Sequence, residues 1–149
     1  MAAPDAVPQA TAQLATYVAA ASAGDLPEPV RREALRSFVN IFGCTIGGAR
    51  HESVDIVWKT LAPFQGSAQA TLIGRGARSD ALTACLVNGL ASSARTFDDT
   101  HAEAIIHPSG PVMAAALAVA EMQPVSGADL LTAFALGVEV NCRISKAVS

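Results

Sequence analysis

The sequence predicts an all-α protein, a bundle of about six helices with at most one short extended segment. Of its 149 residues 51% are hydrophobic but only 5% aromatic, so the core must be built from Ala, Leu, Val and Ile. Alanine has the best helix propensity, and small side chains let helix backbones approach closely. Apolar residues also recur at three- and four-residue spacing in successive stretches, each bounded by Gly, Pro or a capping residue. A chain of this length buries one sizeable core, so one domain is expected.

Residues 1–10, rich in Ala and Pro, read as a flexible leader, and residues 11–149 as the domain. The first helix is expected over 11–21, with Leu14, Tyr17, Val18 and Ala21 on one face, ending at Gly24-Asp25. Pro27 and Pro29 suit the first turn of the second, whose Val30, Leu35, Phe38, Val39, Ile41 and Phe42 carry it to residue 46. Gly47-Gly48 reads as its C-terminal cap, because a phosphate-cradling glycine pair would need a strand before it and a helix start after it. Ser53 is expected to cap a third helix reaching residue 61, before Pro63 and Gly66 break it. Residues 68–73 alternate weakly and form a short strand or extended connector. The following Gly74-Arg-Gly-Ala-Arg-Ser79 imitates a dinucleotide fingerprint, but serine replaces its third glycine and no βαβ unit surrounds it.

Ser79 or Asp80 should cap a fourth helix that turns Leu82, Cys85, Leu86 and Leu90 to the core. A fifth opens at 108–111 and is apolar nearly all round over 112–120, which predicts burial on every side in the middle of the bundle. Pro124 breaks it. Ser126-Gly-Ala-Asp129 starts a sixth, carrying Leu130, Leu131, Phe134, Leu136, Val138 and Val140, with Glu139 and Arg143 spaced to pair. The fifth and sixth helices carry more apolar surface than the preceding residues supply partners for. Association through residues 112–140, as a homodimer or with a missing C-terminal half, is therefore expected.

Composition also excludes functions. The net charge is −3 and the ten basic residues are scattered, so no stripe exists to neutralise phosphates and no nucleic-acid partner is expected. The apolar run 111–120 is about half of what a bilayer requires, so no membrane partner is expected. No basic segment precedes an apolar leader core, and a cytoplasmic location is expected. Cys44, Cys85 and Cys142 lie far apart among apolar neighbours and read as buried thiols in a reducing compartment.

Chemistry concentrates between Asn88 and Gly110, in Phe97-Asp98-Asp99-Thr100-His101 and His107-Pro108-Ser109-Gly110. A helix opening near Ser109 presents unpaired N–H groups and the positive end of its dipole, so Ser109 and Gly110 form a candidate clamp for a substrate carboxylate. His107 stands at the rim, and an imidazole there can move a proton on or off a carbon beside that carboxylate. Thr100 and the Asp98-Asp99 pair can orient substrate or hold the histidine in one tautomer. His107 and Thr100 should then converge on a cavity near that helix start. On residue types alone two alternatives stand: a solvated turn with caps, and a metal site from Asp98, Asp99, His101 and His107. The spacing of those four matches no standard metal motif, and no metal is expected.

The order of Asn88-Gly89, Phe-Asp-Asp-Thr-His at 97–101, His-Pro-Ser-Gly at 107–110, Ala120-Glu121, Ser-Gly-Ala-Asp-Leu-Leu-Thr-Ala-Phe at 126–134 and Gly-Val-Glu at 137–139 resembles the MmgE/PrpD family. That family includes 2-methylcitrate dehydratase, cis-aconitate decarboxylase and iminodisuccinate epimerase. The Ala-Thr-Leu-Ile-Gly connector at 70–74 and the earlier helices take part in the match. The resemblance implies an all-helical domain bearing the active site, a smaller α+β lid in full-length members, dimers, and no cofactor.

By residue, the resemblance puts the family's active-site threonine on Thr100 and its site histidine on His107, with Asp98 and Asp99 beside them as catalytic candidates. Asn88 and Thr96 join Ser109 and Gly110 as substrate-binding candidates, Thr96 standing where members often carry an acid. Family members are much longer, and further catalytic lysine and histidine residues come from segments outside this sequence; Lys146 is in the wrong helix to substitute. The expectation is a partial enzyme, without the lid, of a cofactor-independent lyase or isomerase. It would dehydrate, decarboxylate or epimerise a small di- or tricarboxylic acid such as 2-methylcitrate. The alternative is a non-catalytic helical scaffold, a degenerate paralogue that needs a partner chain.

Overall fold

A computed structural model describes residues 9–148. Six helices and one hairpin follow in the order α1 (Ala10–Ala20), α2 (Glu28–Gly48), α3 (Glu52–Leu61), β1 (Ala70–Leu72), β2 (Ala77–Ser79), α4 (Ala81–Ser93), α5 (Ser109–Ala120) and α6 (Gly127–Val148), with single 3-10 turns at Ala23–Asp25 and Ala62–Phe64. The expected all-helical class is what forms. Of the expected leader, residues 1–8 lie outside the described residues, and Ala10 already belongs to α1. No helix among the described residues is long and apolar enough to cross a membrane.

Helices α2 and α5 pack on each other and each on both α4 and α6, and α3 and the hairpin lie against α4. One apolar cluster joins Ile41 of α2, Ile73, Met113 of α5 and Phe134 of α6. Phe38 meets Phe134 edge to face, with ring centroids 5.2 Å apart, a favoured aromatic geometry. The second cluster joins Val54 of α3 and Leu72 of β1 to Ala84, Val87 and Ala91 of α4 and Ala118 of α5.

The face of α4 meets expectation at Cys85 and Leu90, which pack against the core, and differs at Leu82 and Leu86. Leu82 is 84% and Leu86 55% exposed, while Ala84, Val87, Asn88, Ala91 and Ser92 are buried. Small residues allow α2 and α5 to close onto this helix, and dispersion across many short contacts outweighs turning two leucines inward. Gly48 marks the tightest point: a Cβ there would lie 1.9 Å from the carbonyl oxygen of Ala91. The Gly47-Gly48 pair is therefore not a left-handed C-cap. Both residues stand inside α2, the only described glycines with positive φ being Gly74 and Gly76, and Gly48 serves helix contact instead.

Three further expectations shift. The α3 cap is His51, whose Nδ1 accepts from the Ser53 amide, rather than Ser53 itself. The false dinucleotide fingerprint is a hairpin: Ala70 pairs with Ser79, Thr71 with Arg78 and Leu72 with Ala77, so two short strands form rather than one extended segment. Gly74 and Gly76, at φ +72° and +66°, make the turn, a conformation that glycine adopts without steric cost. Helix α5 is not buried all round, since Val119 is 52% exposed. Exposed apolar side chains stand also on α2, at Leu35, Val39 and Ile46, so such surface is not confined to residues 112–140.

Other expectations stand. Asp80 caps α4, accepting from the Thr83 amide at 2.9 Å. Ser126 and Asp129 hydrogen-bond to each other at the start of α6, and Glu139 pairs with Arg143 at 2.6 Å. All three cysteines are free; Cys142 is buried, Cys44 and Cys85 partly so. Burial pushes all three thiols up from their ordinary value, which disfavours the thiolate.

Candidate active site

Between α4 and α5 the chain makes a compact excursion rather than a loose loop. Thr96 and Ile105 adopt positive φ, and a single antiparallel bridge joins His101 to Ile106, with the His101 amide donating to the Ile106 carbonyl at 2.9 Å. The excursion is tied to α6 by Ser145, which donates to the Ala104 carbonyl at 3.1 Å, and by the Lys146–Glu103 ion pair. These contacts bring residues 97–107 back to the start of α5.

Asp99 occupies that start. Its carboxylate accepts from the Ser109 amide at 3.2 Å and from the Ser109 hydroxyl at 2.7 Å. The Ser109 hydroxyl also lies 2.9 Å from that of Ser37 on α2, a partner 72 residues away that no local pattern reveals. An anion at a helix N-terminus is favourable, and here the chain supplies its own. The clamp expected at Ser109 and Gly110 is thus filled by Asp99, and both residues are buried. Gly110 is needed for packing, since a Cβ would stand 2.3 Å from the Ser92 hydroxyl oxygen.

With Asp99 fixed, its backbone orients His107. The His107 Nδ1 lies 2.8 Å from the Asp99 carbonyl oxygen. A carbonyl can only accept, so Nδ1 carries the proton and, in the neutral ring, Nε2 presents a lone pair. Thr100 Oγ1 is 3.4 Å from the same Nδ1, so the two side chains meet, and both stand on an exposed surface. The Asp98 carboxylate, with its side chain only 4% exposed, is 3.6 Å from Nδ1, while the His107 side chain is 58% exposed. The result is an accessible imidazole backed by a carbonyl and a shielded carboxylate. Such an arrangement suits proton transfer at Nε2, because the imidazolium it generates faces both acceptors.

Two candidates lie apart from this group. Asn88 is buried, its amide oxygen accepting from Ile73 N–H at 3.0 Å and its nitrogen donating to the Thr71 carbonyl at 2.9 Å. Both ends serve the free edge of β1, which places Asn88 in the framework. Thr96 is exposed, and its hydroxyl donates to the Arg95 carbonyl at 2.8 Å. Among the described residues no group of three or more His, Cys, Asp and Glu could hold a metal.

Residues 12–149 match the MmgE/PrpD N-terminal domain. The human cis-aconitate decarboxylase is 32% identical over 139 residues, covering 90% of this chain and 29% of its own length. The cis-aconitate decarboxylase-like protein oryM of Aspergillus oryzae is 26% identical over 145 residues, or 93% of this chain and 30% of its own length. The cis-aconitate decarboxylase of Aspergillus terreus is 26% identical over 143 residues, with 93% and 29% covered. The chain therefore spans about 30% of the length of the curated relatives it matches. With the match running through the whole helical bundle and the His107 loop, the chain belongs to the MmgE/PrpD family.

Proposed function

We propose that this chain supplies part of the active site of a cofactor-independent lyase or isomerase acting on a small di- or tricarboxylic acid, with His107 moving the proton. The observation that carries the reading is the hydrogen bond from His107 Nδ1 to the Asp99 carbonyl, which leaves Nε2 as the basic atom on the exposed side. In this reading Nε2 takes a proton from a carbon beside a carboxylate, and the electron pair of the broken C–H bond moves onto that carboxylate or expels a leaving group. For decarboxylation the sequence is reversed in part: carbon dioxide leaves, and the carbanion takes its proton from the imidazolium.

The shielded Asp98 carboxylate stands 3.6 Å from the ring Nδ1, and Thr100 contacts substrate or ring from the same side. Asp99 sets the geometry by joining the ring to the start of α5. The names of the relatives support cis-aconitate or a related acid as substrate. Their greater length supports a site completed by groups outside these 149 residues, from further chain or a second copy.

Purified protein assayed with cis-aconitate, 2-methylcitrate and related acids tests the reading, with His107→Ala as control. Turnover that falls by roughly 10²–10⁴ in the variant is expected for a lost general acid–base. Equal rates in both would leave the non-catalytic scaffold as the better account.

A further inference from the structure

We propose that a second face of the same loop, together with the last turns of α6, forms a carboxylate-binding subsite; the proposal rests on the carboxylic-acid reading above. A pocket of about 540 Å³ is lined by His101, Glu139, Cys142, Arg143, Lys146 and Ala147. That volume is within the range of small-ligand sites, roughly 300–1,000 Å³. Two of the lining residues are cations and one is an anion.

The tautomers of the two loop histidines are opposite. His101 Nδ1 accepts from the Ala104 amide at 3.2 Å, so in the neutral ring the proton is on Nε2 and His101 is a donor. His107 has its proton on Nδ1 and is a base at Nε2. One loop thus offers a proton acceptor at residue 107 and a hydrogen-bond donor at residue 101, which is what a polycarboxylate needs at its reacting carbon and at a remote carboxylate.

Arg143 and Lys146 complete the donor set. Arg143 holds Glu139 through Nε and Nη2, and Nη1 makes no hydrogen bond among the described residues. Lys146 pairs with Glu103 outside the pocket lining. Both pairs are substantially exposed, with side-chain exposures of 65% and 44% for Arg143 and Glu139, and 51% and 70% for Lys146 and Glu103. Exposed pairs of this kind contribute little, so a ligand carboxylate can share or replace the glutamates without a large penalty, and its charge-assisted bonds to Arg143 and Lys146 are the stronger kind. The subsite is close to the proposed reaction centre. His101 directly follows Thr100, and the loop is tied to α6, which carries Cys142 and Arg143, by the Ser145–Ala104 hydrogen bond and the Lys146–Glu103 ion pair.

The probe is tricarballylate, a tricarboxylate without a hydroxyl group to eliminate, titrated into isotope-labelled protein and followed by NMR. Saturable shifts at the His101 ring and the Arg143 and Lys146 side chains are expected, with a dissociation constant on the order of 1 mM. The Arg143→Gln/Lys146→Gln double variant should weaken binding about tenfold or more, Lys146→Arg should retain it, and His107→Ala should leave it within about twofold. In turnover, the double variant should raise KM with kcat nearly unchanged, the signature of binding lost equally from ground and transition states. Binding without turnover would keep the subsite, which does not depend on the groups that complete the reaction site. Absence of saturable shifts, or shifts indifferent to the double substitution in a variant whose melting matches the wild type, would overturn the subsite even if His107→Ala abolishes turnover.

Discussion

Replacing Gly48 by alanine adds one methyl group where α2 crosses α4. Its Cβ would stand 1.9 Å from the Ala91 carbonyl oxygen, 3.0 Å from the carbonyl carbon and 3.2 Å from the Ala94 Cβ. Carbon contacts are comfortable at about 3.5–4.0 Å, so the helices must separate locally by roughly 1.5–2 Å. The obstacle is backbone and cannot rotate away. Overpacking costs about 1–3 kcal/mol, and the rigid contact puts this site at the upper end, while alanine recovers up to about 1 kcal/mol of helix propensity. A net loss of about 2 kcal/mol lowers Tm by roughly 4–8 °C for a chain of this size. Gly43 and Gly47 are the internal controls, because a Cβ at either meets nothing within 4 Å. Alanine there should raise Tm by about 2–4 °C. Thermal melts followed by circular dichroism decide the matter. A Gly48→Ala protein as stable as the wild type, or a Gly47→Ala protein that loses stability as a left-handed cap would, refutes the packing argument.

Asn88→Ala should destabilise by roughly 2–4 kcal/mol, since the Ile73 N–H and Thr71 carbonyl each lose their amide partner. Urea unfolding measures the loss, and an unchanged midpoint would return Asn88 to the list of substrate contacts. Asp80 gives a pH prediction. Hydrogen bonds from the Thr83 amide above all, and also from its hydroxyl and from the Gly66 amide, hold its carboxyl down at about 2 against an ordinary 3.8. A depressed folded-state value means the contribution is fully present above 3.8 and is lost as pH falls toward about 2. The Tm difference between wild type and Asp80→Asn should therefore shrink across that window, and a difference that stays constant would show that the charge of Asp80 adds nothing to its cap.

Helix positions were legible because periodicity and caps agree, as at Asp80 and at the Ser126-Asp129 pair. The buried face of α4 was not. Leu82 and Leu86 are two of its three leucines, yet packing turned them outward and buried Ala84 and Ala91, and only the facing Gly48 and Gly110 hint at how close the neighbours come. The hairpin was hidden because Ala77–Ser79 is three residues long and carries no alternating apolar pattern. At the candidate site, residue types alone left a turn, a metal site and a proton-transfer site open. They gave no indication that Asp99 would occupy the helix start or that the carbonyl of Asp99, rather than a carboxylate, would fix the His107 tautomer. Ser37 was invisible for a simpler reason: its contact with Ser109 spans 72 residues and no local signal encodes it.

In the proposed reaction, His107 Nε2 exchanges a proton with the carbon beside a substrate carboxylate. Turnover in deuterium oxide measures this directly, through deuterium appearing at that carbon of product or recovered substrate. Incorporation is expected with the wild-type protein and a rate lower by roughly 10²–10⁴ with His107→Gln, while tricarballylate binding at the His101 side is retained. Incorporation at the same rate in both proteins would contradict this role of His107.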